Sequence, residues 1–104
     1  MSFSENETIV LKFANKEGGE TEVNVKVSNQ NPDTFIPEHI ASNILLVEIP
    51  NSERNYISIQ NDHTFESKEY LSMLILRNEL KPAIIKICPS EISPIIGNRL
   101  IDLF

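Results

Sequence analysis

Three side chains of the types that bind transition metals, His39, His63 and Cys88, lie far apart in the sequence. Zinc-binding domains usually carry pairs of such ligands close together along the chain, and no pair here has that spacing. Asp62 directly precedes His63, but a helix is expected to begin at this point, and an aspartate there typically caps the first N–H groups. The spacing therefore predicts neither a metal site nor a catalytic acid–base pair.

Other motifs that would carry chemistry are incomplete. Gly18-Gly19 lacks the following Lys-Ser or Lys-Thr of a phosphate-binding loop. No serine lies in a Gly-x-Ser-x-Gly segment. Glu66 and Glu69 fall on the side of a predicted helix that would face solvent. We therefore expect no catalytic residue, no cofactor, no metal ion and no small-molecule substrate, which indicates a non-enzymatic role.

The composition is that of a small acidic protein with a hydrophobic core. The 104 residues are 40% hydrophobic with a net charge of −6, which predicts one domain over residues 1–104, frayed at residues 1–6, and no attraction to nucleic acid or anionic lipid. The single cysteine cannot form an internal disulfide, and no apolar stretch resembles a secretory signal or a membrane span. A cytoplasmic location is expected, with the nucleus open as a second compartment.

The first half of the chain reads as strands. Thr8–Ala14 and Thr21–Ser28 alternate between apolar and polar residues on either side of a glycine-containing turn, which predicts an antiparallel hairpin. Two further strands are predicted, a central one at Ile44–Ile49 and another at Tyr56–Gln60. Phe35–Asn43 between them fits either a short helix or an irregular segment.

A long helix is predicted over Thr64–Leu80. Leu71, Leu74 and Ile75 follow the i, i+3, i+4 spacing of one helix face. Lys81-Pro82 is expected to end it, because proline cannot continue the helical hydrogen bonds and disfavours the helical conformation in the residue before it.

An interior strand at Ala83–Cys88 and a closing helix at Ser93–Phe104 complete the prediction. The strand is almost uniformly apolar, and Ser93-Pro94 resembles a helix start. We therefore predict an α+β fold, an antiparallel-rich β-sheet of about five strands with two C-terminal helices packed on it. No internal repeat is evident.

Two features of this prediction favour a protein partner. The Thr21–Ser28 strand has nothing nearby to protect it as an exposed edge, and such edges pair with other chains. Met73, Leu76 and Leu80 lie partly off the apolar stripe of the predicted helix, so they form a second apolar strip. The alternative is that Met73 and Leu76 reach around a broad core.

Near the end of the chain, Pro89-Ser90-Glu91 is followed by the segment Ile95-Ile96-Gly97-Asn98-Arg99-Leu100, and the predicted elements run in the order helix, strand, terminal helix. In these motifs and this order the chain resembles the proteasome assembly chaperone 4 family. The resemblance implies a chaperone subunit that pairs with a similarly folded subunit and contacts proteasome α subunits during α-ring assembly. Asn98, Arg99 and Phe104 would then be partner-binding residues; capping and packing are the alternative roles for each.

The predicted strand at Tyr56–Gln60 is followed by a predicted helix. This order is similar to that in adaptors of the BTB, Skp1 and elongin C type, so a second interpretation is a small adaptor of a cullin ubiquitin ligase. A small inhibitor or an uncharacterised enzyme is the third possibility. For the first two, we expect the isolated chain to be a homodimer or poorly soluble, since a surface meant for a partner is left open.

Overall fold

The computed structural model describes residues 3–50, 55–59 and 63–104, and within 55–67 it describes the side chains of Phe65 and Ser67. The chain forms nine strands and two single-turn helices in this described part. In chain order they are β1 Thr8–Ala14, β2 Glu20–Ser28, β3 Phe35–Pro37, α1 Glu38–Ala41, β4 Leu46–Glu48, β5 Asn55–Ile59, β6 His63–Ser67, β7 Glu69–Leu76, β8 Glu79–Cys88, β9 Ile95–Gly97 and α2 Asn98–Ile101.

Six of these strands close into a β-barrel. Their order is β1-β2-β9-β3-β8-β7, and a pairing of Phe13 with Leu74 joins β7 back to β1. β4 attaches to β7 outside this ring and ends the sheet there, while β5 and β6 form a separate two-stranded sheet. The predicted α+β arrangement, a sheet carrying two packed helices, is therefore wrong.

The predicted hairpin at the start of the chain is present as β1 and β2. Val23, Val25 and Val27 point into the barrel, and the residues between them are exposed. Asn15 organises the turn, because its Oδ1 accepts hydrogen bonds from the backbone N–H groups of Glu17, at 3.0 Å, and Gly19, at 2.8 Å. The strict alternation of the second strand is typical of a strand with one buried face, and Val23, Val25 and Val27 form the buried face as predicted.

The predicted helix at Thr64–Leu80 is instead β6, β7 and the start of β8. The run of apolar residues in β7 satisfies a helical period and a strand period equally, and short runs cannot distinguish them. The deciding signal is Arg77-Asn78, where φ is 51° and 65°. Two consecutive residues with positive φ make the tight turn that suits a β-hairpin, and β7 and β8 pair antiparallel across it.

Most of the other segments also differ from their predicted structure. Ser93–Phe104 is not a helix: β9 pairs with β2 on one side and β3 on the other before the single turn of α2. Phe35–Asn43 contains β3 and α1. Ile44–Ile49 was expected to be a central strand, yet β4 lies at the end of the sheet. Ala83–Cys88 is interior, within the longer β8, and Lys81-Pro82 does not interrupt it.

The edge expected at Thr21–Ser28 is covered only at its end. β2 is hydrogen-bonded to β1 along its length and to β9 through Lys26, Val27 and Ser28. Residues 20–25 of β2 therefore pair on one side only in the described part of the sheet.

The barrel consists of two copies of a β-β-β-α unit, which the sequence did not reveal. The first copy is β1 to α1 and the second is β7 to α2; element boundaries recur 60 residues later, from 28 to 88, 35 to 95 and 41 to 101. The copies interlock, since β2 runs parallel to β9 and β3 parallel to β8. Equivalent strands also meet each other, at Phe13 with Leu74 and at Phe35 with Ile95, which indicates an approximate twofold axis through both pairs.

Buried aliphatic and aromatic side chains from both copies fill the barrel. Phe13, Leu74 and Ile85 are among those with no exposed surface. A second cluster forms at one end from Phe35, Cys88, Ile92 and Ile95. Phe65 of β6 packs on it, its ring edge-on to Phe35 with centroids 5.8 Å apart.

Candidate interaction surface

A row of exposed apolar side chains crosses three adjacent strands on the outside of the barrel. Val47 of β4 lies directly opposite Leu71 of β7, and Leu71 lies directly opposite Ile84 of β8. Their exposed fractions are 61%, 37% and 54%. Because side chains directly opposite one another on adjacent strands are in contact distance, the three form one continuous apolar row.

The apolar surface continues along β7 and β8. Met73 lies opposite Pro82 and Ile75 opposite Leu80, on the same side of the sheet as Leu71 and Ile84. We call these residues together the outer apolar face: Val47, Leu71, Met73, Ile75, Leu80, Pro82 and Ile84. Strands with one face in the core normally carry polar residues on the other. A contiguous exposed apolar area of this kind is typical of interaction sites.

An ion pair borders this face at the end of β8. Lys86 is buried, and its Nζ lies 3.1 Å from Oδ2 of Asp33 in the loop before β3. Arg99 of α2 reaches the other carboxylate oxygen at 3.9 Å, and its side chain is 76% exposed. The pair links the two repeated units, while the exposed guanidinium remains accessible to a partner.

The five residues predicted to bind a partner lie in four places. Met73 belongs to the outer apolar face, and Arg99 lines a cavity of about 230 Å³ together with Pro82, Ile84 and Leu103. Leu76 and Phe104 line a different cavity of about 410 Å³. Asn98 begins α2, and its Nδ2 donates a hydrogen bond to the carbonyl oxygen of Asn29 at 3.2 Å.

A groove runs along β4 on the side of the sheet opposite the outer apolar face. It has a volume of about 510 Å³ and separates β4 from α1. Two lysines, two glutamates and a tyrosine contribute polar groups, together with apolar and small side chains; the full lining is Lys16, Glu38, Ala41, Ser42, Leu46, Glu48, Ser67, Lys68, Tyr70 and Ile87. Lys68 Nζ lies 2.7 Å from Oε1 of Glu48.

The residues considered for chemistry do not come together in the described part of the chain. His39 is exposed on α1, whereas Cys88 is buried beneath Phe65. Burial raises the pKa of the Cys88 thiol from 9.0 to about 11, so the thiol is protonated at neutral pH. Asp62 and the side chains of His63 and Glu66 lie outside the described residues. No three metal-binding side chains cluster among those described.

The key residues of the exposed row were not predicted to form a surface. Val47 and Ile84 were assigned to buried strands, and Leu71 to the core-facing side of a helix. Uniformly apolar segments give no indication of which face is exposed, because the same pattern fits a strand buried on both faces and a strand with one apolar face in solvent. The useful signal was Arg77-Asn78, since a hairpin turn there would have placed Leu71 and Ile84 opposite each other.

No helix in the described part of the chain has both the length and the apolar character needed to cross a membrane. Comparison with known families gives no matching family model for this sequence. A comparison with curated proteins likewise gives no significant match.

Proposed function

We propose that this chain is a non-enzymatic protein-interaction module that binds a partner protein through its outer apolar face. The observation that carries the proposal is the directly opposed row of Val47, Leu71 and Ile84, each exposed on the outer side of its strand. Covering one such side chain completely contributes about 1.5–3 kcal/mol. A partner that covers all three gains affinity without any rearrangement of the core beneath them.

The surroundings of the row suit a binding site. Interfaces commonly combine an apolar centre with a polar rim. The rim here includes the exposed guanidinium of Arg99 beyond Ile84. This charge would help to orient a partner, while the apolar row would supply most of the affinity.

The two partner classes expected from the sequence, proteasome α subunits and cullins, stay predictions. Assembly of the proteasome α ring and adaptation of a cullin ligase were both inferred with a helix at Thr64–Leu80, and β6 and β7 occupy that segment. Neither partner class is therefore favoured by the barrel. The cytoplasmic location goes with the proposal, because the one cysteine lies buried as a free thiol.

The proposal can be tested with one charge placed in the row. Ile84→Asp puts a carboxylate at the end of the row, and Val10→Asp is the matched control, because Val10 is similarly exposed, at 51%, but lies on β1, which carries none of the three residues of the row. Wild type and both variants are immobilised and exposed to the same cell extract, and bound proteins are quantified by mass spectrometry. We expect at least one protein whose retention falls about tenfold or more with Ile84→Asp alone.

The same set of bound proteins on all three surfaces would contradict the proposal. Both variants must first show the thermal unfolding midpoint of the wild type within a few degrees, so that loss of binding reports on the surface. Leu71→Asp provides a second variant in the centre of the row, and we expect it to lose the same proteins.

A further inference from the structure

The free edge of β4 points to the form of the partner. β4 is hydrogen-bonded to β7 on one side, and it ends the sheet on the other. We propose that the chain binds an extended segment of a partner protein as an added strand beside β4. This inference rests on the proposed function and specifies how the partner meets the outer apolar face.

The backbone of β4 presents hydrogen-bonding groups at this edge. The N–H of Ile49 donates to the carbonyl oxygen of Glu69, which places the pair Val47–Leu71 in the hydrogen-bonded position two residues away. Leu46 and Glu48 therefore direct their N–H and C=O groups away from β7. Within the described residues, nothing forms a hydrogen bond with these outward groups.

A groove adjoins this edge on the side of the sheet opposite the outer apolar face. It separates β4 from α1, and both Leu46 and Glu48 line it. Lys16 and Glu38 on its far side have no ion-pair partner among the described residues. A polypeptide laid along β4 would satisfy the outward backbone groups and bring its own side chains near these two charges.

The alternation of a strand defines the sequence pattern that fits. A residue paired with Val47 would point to the outside and extend the row of Val47, Leu71 and Ile84 by one apolar side chain. Its two neighbours would face the groove, where Lys16, Glu38 and Tyr70 favour polar or charged side chains. The partner segment should therefore have an apolar residue between two polar ones.

Edge strands are often protected against such pairing, and β4 has only part of that protection. It is short, and Pro50 follows closely, which limits the addition to a few residues. It nevertheless lacks a covering strand in the described part of the sheet and continues the apolar row without a break. Short added strands supply specificity through backbone hydrogen bonds together with side-chain contacts.

The probe is a library of random peptides displayed on phage. The library is panned against the immobilised chain. Binding of an enriched peptide is then measured by calorimetry for wild type, Glu48→Pro and Glu48→Ala. Proline removes the outward N–H at position 48 and is tolerated at an edge. Alanine is the matched control, because it removes the same carboxylate and its contact with Lys68 but keeps the N–H. We expect affinity to fall about tenfold for Glu48→Pro and less than about threefold for Glu48→Ala.

Amide hydrogen exchange gives an independent measurement on the wild-type chain. A bound peptide should slow exchange at Leu46 and Glu48, whose N–H groups face the edge, much more than at other exposed amides. Enrichment of peptides that bind Glu48→Pro as well as wild type, or protection confined to other residues, would overturn the inference. Ile84→Asp separates the two proposals: peptides that lose binding there while ignoring Glu48→Pro would support a docking face and exclude an added strand.

Discussion

Gly97 lies directly against the backbone of Asp33. A Cβ atom at position 97 would be 2.3 Å from the carbonyl oxygen of Asp33. The N–H of Gly97 also donates a hydrogen bond to Oγ1 of the buried Thr34 at 3.0 Å. This contact joins the loop before β3 to the end of β9, so it holds the two repeated units together where their strands interlock.

Gly97→Ala should destabilise the protein, because backbone atoms cannot move aside as a flexible side chain can. We expect the free energy of unfolding to fall by about 1–3 kcal/mol, as for other overpacked positions. Urea denaturation measures this change. Gly19→Ala is the control: its Cβ would lie an ordinary 3.6 Å from the Asn15 side chain, so the change should stay within about 0.5 kcal/mol. Equal stability of the two variants would show that the close approach is not real.

Lys86→Met should weaken the same junction by a different route. The substitution keeps the apolar stem but removes the Nζ that lies 3.1 Å from Asp33. Breaking a fully buried pair costs about 3–5 kcal/mol, and since Asp33 retains 25% side-chain exposure, we expect about 1–3 kcal/mol. Lys81→Met breaks an exposed pair with Glu79 and should cost less than about 1 kcal/mol by the same chemical denaturation. A larger loss for Lys81→Met would contradict this reasoning.

Where a segment alternates between apolar and polar residues, its structure could be predicted from the sequence. Val23, Val25 and Val27 match one face of a strand and nothing else, and in β2 all three are buried. β7 has apolar residues in nearly every position, so its sequence satisfies both periods. The antiparallel partner β8 decides the outcome, and a tertiary contact of this kind is not visible in a local pattern.

The repeat and the exposed row could not be predicted for a related reason. Phe35-Ile36-Pro37 and Ile95-Ile96-Gly97 occupy equivalent strands but share mainly apolar character. Each strand fills an equivalent buried space in its own unit, and many different apolar sequences can do so. Exposure of Val47 depends on β4 lying outside the closed ring, a property of the whole topology. Residues can therefore be recognised as apolar long before their faces can be assigned.

Two adjacent isoleucines in β8 provide a direct test of the inner and outer faces. Ile85 has no exposed surface, whereas Ile84 is 54% exposed. Ile85→Ala should lower the free energy of unfolding by about 2–5 kcal/mol, the usual cost of truncating a packed aliphatic side chain. Ile84→Ala removes the same atoms from a solvated position and should change it by less than about 1 kcal/mol. Similar losses for both variants in urea denaturation would refute the assignment of faces.

The buried thiol of Cys88 predicts a loss of stability at alkaline pH. Burial raises its pKa in the folded chain to about 11, against the ordinary 9.0, so the unfolded chain releases this proton first. The stabilising contribution is complete below pH 9 and declines by about 1.4 kcal/mol per pH unit as the pH rises from about 9 to 11.

Denaturation of wild type and Cys88→Ala over this pH range, under reducing conditions, isolates the effect. Other groups also titrate there, so the difference between the two pH profiles is the quantity to measure. The alanine variant starts less stable and should decline less steeply, which brings the curves together toward pH 11. Parallel curves would indicate that the thiol titrates normally in the folded protein.

The state of the isolated chain should depend on the outer apolar face. With Val47, Leu71 and Ile84 uncovered, we expect the chain to form homodimers or to be poorly soluble, because the same apolar row can associate with a second copy. Ile84→Asp introduces a charge that would have to be buried in such an association, so it should shift the chain toward monomer in analytical ultracentrifugation. Val10→Asp adds the same charge elsewhere and should leave the association unchanged. A wild-type chain that stays monomeric at high concentration would contradict this prediction, because it would show that the exposed row does not drive self-association.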